Sequence, residues 1–99
     1  MAVKILIKRK FKDGNLRAAA RFIINHRNGA MRQPGYISSE TLQNINDPDR
    51  VLVVSTWQSL EDWEAWKNSE TRMANENEFK DYIVEKAEYE HYSLGLPME

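Results

Sequence analysis

Cysteine is absent from the chain. Its absence excludes disulfides, thiolate metal ligands, iron–sulfur clusters and cysteine nucleophiles. Small secreted domains usually lean on disulfides, so a reducing, cytoplasmic compartment is expected. Long apolar runs are missing as well. Met1-Ala2-Val3-Lys4-Ile5-Leu6-Ile7-Lys8 is interrupted by lysine, and neither a signal peptide nor a membrane partner is expected. Neither sign of charge dominates: 14 basic residues stand against 15 acidic ones, a net charge of −1. No bulk field therefore points to nucleic acid. The two histidines, His26 and His91, lie far apart, and there is no glycine-rich phosphate loop. No metal and no cofactor is expected from such a chain.

What is present fits one domain spanning residues 1–99. The chain is 41% hydrophobic and 29% charged, too apolar and too balanced for disorder. Charge is nevertheless uneven. Lys4, Lys8, Arg9, Lys10 and Lys12 crowd the start, whereas glutamates such as Glu85, Glu88 and Glu90 load the end. Cross-strand pairing between a basic first strand and an acidic last strand accounts for this.

Residues 3–11 alternate apolar and basic side chains and read as a strand. Asn15 caps a helix beginning at Leu16, with Leu16, Ala19, Ala20 and Ile23 on one face and Gly29 as its stop. His26, near the helix end, reads as a surface residue suited to the dipole. Residues 36–45 and 50–57 read as two strands joined by the turn Asn46-Asp47-Pro48-Asp49. Ser59 caps a second helix with Asp62 as its partner, and Ser69 restarts that helix after a kink. Its pattern continues through Phe79, Tyr82 and Ile83. Residues 86–94 alternate again as a last strand, and 95–99 form a short tail.

A β-α-β-β-α-β order with right-handed crossovers yields an α+β domain. Its first and third strands lie at the centre of a four-stranded antiparallel sheet, with the helices on one face. The other face is left uncovered, and packing against an identical subunit, a homodimer, is the expected solution.

Pro34-Gly35-Tyr36, then Trp57-Gln58-Ser59-Leu60-Glu61-Asp62-Trp63-Glu64-Ala65-Trp66, resemble the antibiotic biosynthesis monooxygenase superfamily. The Trp-x-Ser-x-(acidic)-x-(aromatic)-x-x-Trp pattern is the most specific part, and the resemblance covers nearly the whole chain. It implies a ferredoxin-like fold assembled as a dimeric α/β barrel. It also implies a cofactor-independent monooxygenase acting on an aromatic or quinol-type small organic molecule. The haem-degrading branch uses a first-strand asparagine, a tryptophan, and a histidine some ten residues later. Trp66 matches the tryptophan, but Ile7 and Glu76 stand at the other two positions, so an axial-histidine haem site is not expected. A dimeric small-molecule-binding or stress-related module without catalysis is the main alternative, and haem binding without the family's histidine is a third.

Trp66 suits both a core position and a cavity wall. Extending the Phe79-Tyr82-Ile83 face backwards lands on Asn75, Glu76 and Arg72, polar residues that on an inward face need partners or a cavity. Glu76, His91 and Asn75 are the candidate proton acceptors. Trp66, Arg72 and Met73 are the candidate substrate-binding residues.

Overall fold

The computed structural model describes residues 1–96; the end of the expected tail, residues 97–99, lies outside the described residues. The order is β1 (Val3–Lys10), α1 (Leu16–Ala30), β2 (Tyr36–Gln43), β3 (Arg50–Trp57), α2 (Leu60–Lys67), α3 (Glu70–Glu78), a 3-10 turn (Lys80–Tyr82) and β4 (Glu88–Ser93). The sheet runs β2-β3-β1-β4, with every pair antiparallel. This is the α+β, ferredoxin-like architecture expected, with β1 and β3 central.

Period-two alternation decides what β1 buries. Ile5, Ile7 and Arg9 face the helices and are buried, whereas Lys4 and Lys8 are exposed. Opposite Ile5 and Ile7 on β3 stand Ser55 and Val53, and on β4 His91 and Tyr89. The other face carries Leu6, Leu52 and Val54, half-buried, beside exposed Leu42 and Tyr92. Lys8 meets Glu90 across that face at 3.3 Å, an instance of the expected pairing of a basic first strand with an acidic last one.

The capping residues of α2 and α3 behave as the sequence suggests. Ser59 Oγ accepts from the Asp62 backbone N–H at 3.1 Å and donates to the Asp62 carboxylate at 3.0 Å. Ser69 Oγ accepts from the Arg72 N–H at 3.2 Å. The loop before β2 leans on the first of these caps. Gly35 has φ +85°, and a Cβ there would collide with the Asp62 carboxylate, so two constraints select glycine. Its carbonyl accepts from Gln58 N–H at 2.7 Å, which joins Pro34-Gly35-Tyr36 to the strand end that carries Trp57.

Several expectations are corrected. Asn15 occupies the N-cap position of α1, but its side chain turns back to the Asp13 carbonyl and caps nothing. The α1 helix does not stop at Gly29; it runs through Ala30, and Gly29 is where the Trp66 indole lies against the helix. Finally, α3 ends at Glu78 instead of continuing through Ile83, and Ile83 bridges to Phe11 beside the sheet. The inward stripe of α1 is also rotated from the expected one. Ala19, Phe22 and Ala30 are buried, while Leu16 and Ile24 point outward.

Two apolar clusters fill the space between helices and sheet. One holds Ile5, Ile7, Ala30, Trp57, Trp63 and Trp66; the other holds Phe11, Ala19, Phe22 and Phe79. Among the described residues no helix is long and apolar enough to cross a membrane.

Candidate functional site

Between the two clusters runs a polar network that begins at a buried strand arginine. Arg9 is 4% exposed, and its guanidinium lies 4.7 Å from the Phe22 ring centroid. Both of its terminal nitrogens donate to Glu76, at 3.1 and 2.6 Å, a bidentate pair. Arg72 is equally buried and reaches within 3.9 Å of the same carboxylate. Its guanidinium stacks on the rings of Trp63 and Tyr89, at 5.4 and 5.6 Å, and donates to the Tyr89 hydroxyl at 2.9 Å.

The third partner of Glu76 is His26, whose Nε2 lies 3.2 Å from the carboxylate. Its tautomer follows from the neighbours. Asn75 Nδ2 lies 3.0 Å from the Phe22 carbonyl, which can only accept, so that atom is the amide nitrogen. The same nitrogen lies 2.7 Å from His26 Nδ1 and donates its second proton there. Nδ1 therefore accepts, and the ring proton sits on Nε2, facing Glu76. His26 is thus no surface residue: it packs 4.4 Å from the Phe22 ring and 6.1 Å from Trp66.

Electrostatics follow from this geometry. Burial alone would raise the Glu76 carboxyl. The hydrogen bonds from His26 and Arg9 and the charges of Arg9 and Arg72 outweigh it and bring the pKa from 4.5 down to about 2. Burial lowers His26 below its usual 6.5, assisted by the two arginine charges and opposed by Glu76.

Two hollows have Arg9 together with another member of the network in their walls. One is an open cleft of about 690 Å³ between α3 and the chain leading into β4. Met73, Ile83, Val84, Ala87 and Tyr89 give it apolar surface; Lys67, Lys80 and Lys86 join Arg9 as cations, against Glu76 and Glu85. Lys67 Nζ sits 4.4 Å from the Tyr89 ring centroid. The other is a narrow cavity of about 40 Å³ between α1 and the sheet, bordered by Ile7, Ile23, His26, Ala30, Val53 and Trp57 among others.

The candidate residues distribute unevenly around these spaces. Glu76 and Met73 line the cleft, and Arg72 braces Tyr89 in its wall. Asn75 lies behind them, between α3 and α1. Trp66 is 3% exposed and packs in the core against Gly29 and His26, in the wall of neither space. His91 is exposed on β4 opposite Ile5, also outside both walls. Trp63 Nε1 is buried without a hydrogen-bond partner among the described residues, and nothing around it accounts for that.

Arg9 and His26 were not singled out by their sequence context, although each carried a signal. Arg9 keeps the parity of Ile5 and Ile7, and His26 lies four residues after Phe22 and four before Ala30.

Comparison with known proteins fits this architecture. The antibiotic biosynthesis monooxygenase family model matches residues 2–83. A structure described as a candidate antibiotic biosynthesis monooxygenase from Nitrosomonas europaea superposes with a TM-score of 0.86 at 17% identity, covering 99% of this chain and 94% of that one. A similar protein from Bordetella bronchiseptica gives 0.84 at 14% identity, covering 96% and 98%. SnoaB, a cofactor-independent oxygenase from Streptomyces nogalater, gives 0.83 at 9% identity, covering 98% and 96%. At such identities the likeness speaks to fold alone. No curated protein matches the chain by sequence. With most of its length matched by the family model, the chain belongs to the antibiotic biosynthesis monooxygenase family.

Proposed function

We propose that the chain is a cofactor-independent monooxygenase that oxidises an aromatic, quinol-type molecule held in the cleft between α3 and β4. The observation that carries this is the cleft itself: about 690 Å³ of space with an apolar wall and four cations around it. Sites for small organic molecules commonly measure some 300–1,000 Å³. Met73, Ile83, Val84 and Tyr89 offer surface to a ring system, while Arg9, Lys67, Lys80 and Lys86 favour its ionised form.

Cations beside a phenol lower its pKa. The proton leaves to water at the open mouth of the cleft, and the electron-rich anion reacts with dioxygen. One oxygen atom becomes a carbonyl of the product, the other leaves as water, and the substrate supplies all four electrons. Glu76 contributes through Arg9. A carboxylate with a pKa of about 2 is a feeble base at neutral pH, and its part is to hold the guanidinium in place. Asn75 acts one step further back, by orienting His26. His91 stands apart from the cleft and takes no part in this scheme.

Assembly belongs to the same proposal. Leu6, Leu42, Leu52, Val54 and Tyr92 form an apolar field on the helix-free side of the sheet, and a second copy covers it. The chain then works as a homodimer.

Oxygen uptake decides the matter. With a panel of anthrones, naphthols and hydroquinones, the protein should consume dioxygen without added cofactor, and Lys67→Met or Lys86→Gln should raise KM for the phenol. If phenols quench tryptophan fluorescence on binding but none is oxidised, the protein is a binding module instead.

A further inference from the structure

The narrow cavity between α1 and the sheet is too small for the aromatic molecule, yet it shares Arg9 as a wall residue with the cleft. At about 40 Å³ it exceeds the ~10–15 Å³ that a single water requires. Ile7, Ile23, Ala30, Val53 and Trp57 give it a wall that is mostly hydrocarbon.

Several of the polar side chains around it are spent on one another, while Arg27 and Thr41 also border it. Arg9 gives both terminal nitrogens to Glu76, and both ring nitrogens of His26 are engaged. Trp57 Nε1 donates to Ser55 Oγ at 3.1 Å, and the Tyr36 hydroxyl is bonded to Ser39 Oγ at 2.8 Å. A wall of this kind favours small apolar species.

We propose that this cavity is a dioxygen site. The assignment rests on the oxygenase reading, because dioxygen is the small apolar reactant of that reaction. Arg9 then borders both reactants, the phenolate in the cleft and the dioxygen against Ile7 and Val53. Negative charge that passes to dioxygen during the reaction develops beside that guanidinium, fixed in advance by Glu76.

Methyl NMR of the full chain under dioxygen pressure tests the site without any turnover. The methyl groups of Ile7, Ile23 and Val53 should show paramagnetic relaxation well above that of Ile5, which is fully buried but off the cavity. Equal relaxation at Ile5 overturns the proposal. Its role is read from kinetics: Val53→Phe should raise KM for dioxygen by about tenfold, the low end of what one methylene is worth in an apolar pocket, and leave KM for the phenol unchanged. Val53→Ile, a gentler filling, should move the same constant in the same direction if the larger side chain prevents folding. Unchanged KM for dioxygen in a folded variant overturns the role. Selective relaxation in a protein that oxidises no phenol upholds the site and sinks the oxygenase reading alone.

Discussion

The indole of Trp66 lies where a side chain of Gly29 would be: a Cβ built on that glycine falls 2.5 Å from Trp66 Cη2. Replacing Gly29 with alanine therefore sets two effects against each other. Alanine gains about 1 kcal/mol of helix propensity, whereas overpacking costs about 1–3 kcal/mol and Trp66, 3% exposed, has little room to retreat. Gly29→Ala should lower stability in urea unfolding. In a Trp66→Phe background the same change should become stabilising. The buried position of Trp66 also means that Trp66→Ala should cost roughly 3–5 kcal/mol.

Acid should destabilise the fold in two stages. His26 has a folded pKa below its usual 6.5, so protonation favours the unfolded chain and stability declines as pH falls past 6.5. Glu76 is depressed from 4.5 to about 2; its contribution is complete above 4.5 and is lost as pH falls towards 2. That shift amounts to about 3 kcal/mol. Urea midpoints measured from pH 8 to pH 2 should follow this course. His26→Gln should flatten the upper limb, and Glu76→Gln the lower.

Glu76→Gln should also cost about 3 kcal/mol at neutral pH, because it strands Arg9, 4% exposed, without its counter-charge. Replacing both partners, as Arg9→Met with Glu76→Gln, should recover much of that loss. If the double variant is no more stable than the single one, the pair is not coupled as described. A double-mutant cycle on urea midpoints gives the answer.

Much of this arrangement was legible in residue order, and the reasons differ by element. Ser59 with Asp62, and Ser69, could be read because a cap is a local event: a hydroxyl and the backbone three residues on. The inward turn of Arg72, Asn75 and Glu76 was visible from helical spacing alone. Their partners were not, since Glu76 lies 67 positions from Arg9 and 50 from His26. The end of α3 was misread for a related reason. Phe79, Tyr82 and Ile83 keep a helical spacing, but Ile83 is claimed by an isolated bridge to Phe11, just past the end of β1. Gly29 looked like a stop because the sequence does not disclose a tryptophan packed against it.

The helix-free sheet face predicts a dimer at micromolar concentration, with a total interface on the order of 2,000 Å². Light scattering should report twice the chain mass. Val54→Lys, at the centre of the field, should shift the protein towards monomer and lower its unfolding midpoint in a concentration-dependent way. A folded wild-type monomer under those conditions would exclude the arrangement.

Helix α3 buries a single side chain of its own, and that one is Arg72. Met73 is 54% exposed, and the contacts that fasten the helix to α1 and β1 are made by Asn75 and Glu76. Hydrophobic attachment weakens on cooling, whereas an attachment made of charge and hydrogen bonds answers to acid and salt. The outer wall of the cleft is therefore expected to be its least anchored part and to open before α1 and the sheet unfold. Amide hydrogens of α3 should exchange ahead of those of α1, and added salt should widen that gap. Access to the cleft would then vary with the ionic composition of the surroundings.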